Sequence, residues 1–292
     1  MTLNLGPICL GTSTFGREID ARAACGLMDH ASACGITLFD TAATYSEGAA
    51  EEIVGRWLRH HRNDARRPMI ATKIYPPYTP AAMSAAVAAS AHRLGVETID
   101  LLYLHKWDPT IDHPDALTAL DQLIRSNRVR HLGLSNFSAD QLVTTLRRQA
   151  AQGLTPAAAL QNNHNLAVRE MTAEHHELCR NHQITPVTYS PLGAGYLTGK
   201  HRTGVAAGSR FDISPGHREV YFTPAAARRL AGLEAIAARS GYTMTHLALA
   251  WALHQPGNTS VLIGGRHADH IDQAFRALAF HDADLFAELD AL

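Results

Sequence analysis

The sequence predicts an α/β protein folded as a closed (β/α)8 TIM barrel, on three observations. Eight short apolar runs alternate with longer helical patterns, the connections are long enough for crossover helices, and three of the runs lead directly into an ionisable side chain. A strand that ends in a polar group, three times over, indicates a site at the C-terminal ends of a parallel sheet. An open doubly wound sheet would instead require a Gly-x-Gly-x-x-Gly turn after an early strand. The first run here leads into Gly11-Thr12-Ser13-Thr14-Phe15-Gly16, which does not match.

In chain order the strand candidates are Pro7 to Gly11, Thr37 to Asp40, Met69 to Thr72, Asp100 to His105, Val129 to Leu134, Ala157 to Gln161, Ile184 to Ser190 and Thr259 to Ile263. Helices are expected at Asp20 to Ala33, Ala49 to His61, Pro80 to Leu94, Pro114 to Arg125, Ala139 to Ala151, Glu170 to Asn181, Pro224 to Ser240 and Met244 to His254. Leu117, Leu120 and Ile124 form a helical stripe, and Leu142, Leu146 and Gln149 repeat it with a fade towards a polar end. Gly193 to Thr223 breaks the short-loop rule. A segment that long after a strand is usually functional, and is expected to cover a bound ligand.

Residues 1–292 contain no linker rich in Pro, Gly or Ser, so one barrel domain is expected over the full length. The 46% hydrophobic fraction can fill a large core, and a net charge of -1 excludes the overall basic field of a nonspecific nucleic-acid binder. No run approaches the roughly 18 consecutive apolar residues of a membrane span. The opening MTLNLG lacks the layout of a targeting peptide, and Cys9, Cys25, Cys34 and Cys179 show no CxxC spacing. The four cysteines read as buried thiols in a reducing, cytoplasmic compartment. No metal is expected at the site.

Asp40, Tyr45, Lys73 and His105 stand at or just past three successive strand ends. For Tyr45 to give up a proton near neutral pH, its reference pKa of about 10 must come down, and an ammonium at Lys73 would do that. Asp40 is placed to pair with Lys73, and a neutral His105 imidazole to donate a hydrogen bond to a carbonyl oxygen. Singly, these read as a cap, a rim aromatic, a surface lysine and a core histidine. Together they suit proton delivery onto an oxygen, and they lack a nucleophile.

The chain closely resembles the aldo-keto reductase superfamily, in the branch that includes bacterial members and channel beta subunits. The resemblance rests on Gly35-Ile36-Thr37-Leu38-Phe39-Asp40-Thr41-Ala42 with Tyr45, Ala71-Thr72-Lys73, Asp100 to His105, Gly133-Leu134-Ser135-Asn136-Phe137, Gln161, Tyr189-Ser190-Pro191-Leu192 and Gly264-Gly265-Arg266. It implies that Asp40, Tyr45, Lys73 and His105 are a catalytic tetrad and that a nicotinamide supplies the hydride. It also implies that Ser135, Asn136 and Gln161 hold the carboxamide, that Tyr189 stacks on the ring, and that Ser190, Leu192, Gly193 and Gly195 run beneath the pyrophosphate. Gly11 and Thr12 join this set, with Lys200 and Arg210 adding charge from the long segment.

Two departures from the family pattern are visible. His270 and Ala274 stand where a Gln and an Asn commonly reach the adenosine end, and Ser46 replaces the Gly that usually follows the tyrosine. Arg266 is retained, and its guanidinium suits a 2'-phosphate, which favours NADP(H), with NAD(H) as the alternative. A structural role for Arg266, capping the last barrel unit or pairing with Asp269, is the competing reading. His270 either helps the phosphate when protonated or is a helix-surface residue. Phe15, Tyr75, Tyr78, Trp107 and Tyr221 are the candidates to line a substrate pocket. The implied activity is reversible hydride transfer between the nicotinamide and the carbonyl or alcohol of a small aldehyde, ketone or sugar-like substrate. The alternatives are a cofactor-binding channel subunit, or a cofactor-independent isomerase or aldolase using Lys73.

Overall fold

Short polar residues begin most of the helices. The side chains of Asp20, Thr79, Ser138, Thr172, Thr223, Thr243 and Asp282 each accept a backbone N–H three residues on, satisfying one of the orphan donors of the first turn. Ser138 and Thr172 add the reciprocal bond of a capping box. The computed structural model describes residues 3–62, 64 and 67–292. The first two residues of the opening segment therefore lie outside the described residues.

The strands are β1 (Ile8–Gly11), β2 (Leu38–Asp40), β3 (Met69–Ile74), β4 (Ile99–Leu104), β5 (Val129–Ser135), β6 (Ala159–Asn163), β7 (Thr185–Tyr189) and β8 (Ser260–Gly264). They close in sequence order, and β1 pairs with β8 in parallel through Leu10 opposite Ile263 and Gly11 opposite Gly264. The helices are α1 (Ala21–Ala33), α2 (Ala49–His60), α3 (Pro80–Leu94), α4 (Ala116–Arg125), α5 (Ala139–Ala151), α6 (Ala173–His182), α7 (Arg210–Ile213), α8 (His217–Tyr221), α9 (Pro224–Ser240), α10 (Met244–Leu253), α11 (Ala268–Leu278) and α12 (Ala283–Asp290). The (β/α)8 barrel is thus the fold. Among the described residues, no helix is long and apolar enough to cross a membrane.

Alternation within each strand divides the core in two. Ile8 and Leu10, or Leu102 and Leu104, pack outward against the helices, while Cys9, Leu101 and Tyr103 fill the interior with Leu38, Ala71 and Val187. Tyr103 fits because residue 133 is glycine: a Cβ there would lie 2.3 Å from the ring. This filled interior is the floor beneath the mouth.

Several expectations are corrected. α11 and α12 were not anticipated, since the buried stripe of α11 is only Ile271, Ala274 and Ala277. Gln149 is buried and hydrogen-bonds Thr155 and Ala157, so the α5 stripe does not fade there. Cys9 and Cys179 are buried, whereas Cys25 and Cys34 are partly exposed. The long segment after β7 holds α7 and α8 and packs into a core shared with α9, α10 and α12, in which Phe211 and Tyr221 meet edge to face at 5.9 Å.

Candidate active site

At the C-terminal ends of the strands lies a cavity of about 700 Å³, lined from β1, β2, β3, β5, β6, β7 and β8 and the loops that follow them. Asp40, the last residue of β2, and Lys73, within β3, are both buried on its floor and form an ion pair. The three ammonium donors of Lys73 go to Asp40 Oδ1, to the Thr41 carbonyl at 3.0 Å and to the Tyr45 hydroxyl at 3.2 Å. The other carboxylate oxygen of Asp40 accepts from Gln161 Nε2 at 2.8 Å. The result is one connected chain, Gln161–Asp40–Lys73–Tyr45, with both charges satisfied.

Tyr45 opens a tight turn in which Ser46 and Glu47 adopt left-handed backbone, with φ of 50° and 55°. That conformation favours glycine at residue 46. Ser46 instead donates its hydroxyl to the Phe15 carbonyl at 2.7 Å, tying the turn to the loop after β1. His105 meets the Tyr45 ring edge-on at 5.9 Å, and Thr44 Oγ1 lies 3.4 Å from its Nδ1.

Burial pushes the Tyr45 phenol above its ordinary value and outweighs the lowering by Lys73, so the net shift runs opposite to the expected one. For Lys73, burial works against the charge and the Asp40 carboxylate outweighs it, so the ammonium is held above its usual range. Asp40 is itself raised by burial, with Lys73 and Gln161 opposing. Burial and then the Lys73 charge bring His105 down to about 3, which leaves a neutral imidazole at neutral pH. An ammonium held charged is not a free amine, so Lys73 is not poised for Schiff-base chemistry.

The other half of the cavity is lined by Gly11, Thr12, Ser135, Asn136, Tyr189, Ser190, Leu192, Gly195, Lys200, Arg210, Gly264, Arg266 and His270. Asn136, at φ 57°, donates to the His105 carbonyl at 2.8 Å and to Ser135 Oγ at 3.1 Å, and accepts from the Tyr189 hydroxyl at 2.7 Å. Gly193 does not line the cavity. It is buried with φ 57°, and a Cβ there would stand 3.1 Å from the Tyr221 ring.

Arg210 reaches the mouth with its charge already engaged, by Glu18 at 2.9 Å and Ser13 Oγ at 2.6 Å. Glu18 also takes Arg17 at 2.8 Å, so one buried carboxylate serves two guanidiniums. Arg266 donates to the Gly208 carbonyl at 2.8 Å. Asp269 pairs with Arg276, not with Arg266. His270 accepts the Arg266 backbone N–H at 3.1 Å, and burial together with His267 lowers its pKa, so it orients that turn as a neutral ring. Lys200 is lowered by burial and then by Arg266, the mark of two cations held close together.

The aromatic set is largely corrected. Phe15, Tyr78 and Tyr221 are fully buried: Phe15 in the core under α1 and α2, Tyr78 with its hydroxyl on the Lys106 carbonyl, and Tyr221 with its hydroxyl on Asn163 Oδ1. Trp107 packs against the core around β4 and β5. Tyr75 alone of the five stands at the rim, edge-on to His105 at 5.8 Å with Lys106 Nζ 4.7 Å from its ring centre. Sequence reasoning missed Ser13, Arg17, Glu18, Thr44, His217, His267 and Gln273, all of which line the cavity. Position just beyond a strand end was the available signal for the first four.

Residues 7–292 match the family model described as the aldo/keto reductase family. The probable aldo-keto reductase 1 of Glycine max is 30% identical over 293 residues, covering 94% of this chain and 80% of its own. Aldo-keto reductase yakc of Schizosaccharomyces pombe, whose name carries NADP(+), is 28% identical over 92% of this chain and 82% of its own. A probable voltage-gated potassium channel subunit beta of Arabidopsis thaliana is 29% identical over 91% of this chain and 84% of its own. The chain therefore belongs to the aldo/keto reductase family, as an NADP(H)-dependent oxidoreductase.

Proposed function

We propose that Asp40, Tyr45, Lys73 and His105 carry out reversible carbonyl reduction on a small aldehyde, ketone or sugar-like substrate, with Tyr45 as general acid in reduction and general base in oxidation. The observation that carries this reading is the Tyr45 hydroxyl lying 3.2 Å from a buried, charge-satisfied ammonium at the floor of an open cavity. The donor set fits the dinucleotide: Lys200 and Arg266 face the cavity for its phosphates, and Ser135, Asn136 and Tyr189 offer hydrogen bonds and a flat ring for its nicotinamide. NADPH bound there supplies the hydride.

The raised pKa keeps Tyr45 protonated at neutral pH, and a carbonyl oxygen gaining negative charge is a stronger base than the phenolate, so the proton moves towards it. Lys73 stabilises the phenolate left behind, and Asp40 with Gln161 keeps that ammonium charged and in place. If Thr44 donates to Nδ1, the proton of neutral His105 sits on Nε2, the nitrogen placed to hydrogen-bond the substrate oxygen. Arg266 and Lys200 favour NADPH over NADH by their charge, and residues 193–223 cover the cofactor, pinned by Arg210 to Glu18. We place the protein in the reducing cytoplasm, in keeping with four free thiols.

A panel of aldehydes, ketones, sugars and alcohols, followed by nicotinamide absorbance in both directions with NADPH and NADH, tests the reading. Turnover of at least one carbonyl class with NADPH is the expected result. Tight NADPH binding without turnover on any of them would favour a cofactor-binding channel subunit instead; the Arabidopsis relative is named a probable voltage-gated potassium channel subunit beta.

A further inference from the structure

Outside the mouth, α1 and α11 lie side by side on the barrel surface, and their facing side chains form a cluster that hydride transfer does not use. His30 and Cys34 are four positions apart at the C-terminal end of α1, on one face of the helix. Asp272 faces them from α11. His30 Nε2 lies 2.7 Å from Asp272 Oδ1 and 3.6 Å from Cys34 Sγ, and one donor atom from each residue falls within 4.8 Å of the other two.

We propose that His30, Cys34 and Asp272 form a binding site for a zinc-class divalent cation, with water as the fourth ligand. An imidazole, a thiolate and a carboxylate are the ligand types zinc takes, and tetrahedral bonds of about 2.0–2.3 Å set ligand atoms roughly 3.3–3.8 Å apart. The 3.6 Å spacing of His30 and Cys34 already meets this. The His30–Asp272 hydrogen bond must open by about 0.6 Å or a little more, within the reach of rotamer adjustment in two partly exposed side chains. Hydrogen bonding alone would hang both Asp272 Oδ1, at 2.7 Å, and Cys34 Sγ, at 3.6 Å, on the single His30 Nε2. Ion binding uses all three.

The solvent-facing edge of the cluster leaves an entry path and room for the water ligand: the side chains of His30 and Asp272 are 33% and 41% exposed. The thiolate excludes magnesium and calcium, which prefer all-oxygen sites. Burial and then the Asp272 charge raise the Cys34 thiol above its ordinary value, so the sulfur arrives protonated and its proton leaves to solvent as the metal–sulfur bond forms. The bound ion would clamp α1 to the helix whose His270 and Gln273 line the cofactor end of the cavity.

The test uses the intact protein, stripped of metal by a chelator and titrated with Zn2+ against a chromophoric indicator, and separately with Co2+ as a spectroscopic probe. We expect one Zn2+ per chain, a sulfur-to-cobalt charge-transfer band, and no competition from a hundredfold excess of Mg2+. Cys34→Ser should abolish the band and weaken Zn2+ binding at least tenfold, and Asp272→Asn should weaken it less, while Cys25→Ser leaves both unchanged. NADPH binding by each variant shows that it is folded. A cobalt spectrum of the unaltered protein with no sulfur band, or Zn2+ stoichiometry and affinity unchanged by Cys34→Ser, would overturn the site.

Discussion

Lys73 and Lys200 line the same cavity under opposite conditions. Lys73 is buried, its three donors are all engaged, and Asp40 holds its pKa above the usual range. Lys200 is exposed at the rim, and its pKa is lowered by partial burial and by Arg266. One cation carries its counter-charge within the fold. The other stands beside a second cation, an arrangement that an anionic ligand relieves. The deep half of the cavity balances its own charges, and the outer half leaves two cations facing each other.

The largest effect expected from this contrast follows Lys73→Met. Asp40 would be left as a buried, unpaired charge, and urea denaturation should show a loss of about 3–5 kcal/mol. Lys200→Met should stay within about 0.5 kcal/mol of the parent in the same experiment, as surface changes usually do. Equal losses at the two positions would erase the distinction. Tyr45→Phe comes next: cofactor affinity should hold, while the hydride-transfer rate falls by about 10²–10⁴. Single-turnover kinetics with an unchanged rate would end the assignment of Tyr45 as the proton donor.

Arg266→Ala probes the outer half. Isothermal titration should show NADPH weakened by about 10-fold or more while NADH barely moves, because only NADPH carries the 2'-phosphate charge. A parallel loss for both cofactors would reassign Arg266 to its Gly208 contact alone.

The remaining effect concerns pH and is read as a slope. A folded-state pKa of about 3 for His105 lies below the roughly 6.5 of an unfolded histidine, so between those values the unfolded chain binds a proton that the folded chain refuses. Stability therefore falls as pH drops through this window, by up to about 1.4 kcal/mol per pH unit for each such histidine. His105→Gln should flatten the slope by one proton and leave the share of His164, stacked on Trp251 with a pKa of about 4. Denaturant midpoints from pH 4 to pH 6.5 read the difference, and an unaltered slope would mean that His105 titrates normally.

The barrel and the four polar residues at its mouth were legible because parallel-strand topology alone brings successive strand ends together. Asp40, Lys73 and His105 needed no knowledge of distant packing. The aromatic residues did: Phe15 and Tyr78 follow strand ends and Tyr221 sits in the long segment, as a pocket wall would, yet whether a loop aromatic turns inward is settled by tertiary packing that no local pattern records. The direction of the Tyr45 pKa failed for a related reason. Its charged neighbour could be read from the chain, whereas its desolvation could not. α11 was missed because alanines make up most of its buried stripe, and Glu18 because its value lies in two arginines, one of them 192 positions away.

The glycine at residue 133 carries an evolutionary consequence. With the Tyr103 ring 2.3 Å from where a Cβ would sit, any side chain at 133 must wait until residue 103 has become smaller. Shrinking residue 103 first opens a void in the barrel interior, a loss of about 3–5 kcal/mol when a buried aromatic is cut back to alanine. Either first step is penalised, so homologous lineages should exchange this pair together or keep it, and a survey of natural sequences should find few chains with a bulky residue at both positions.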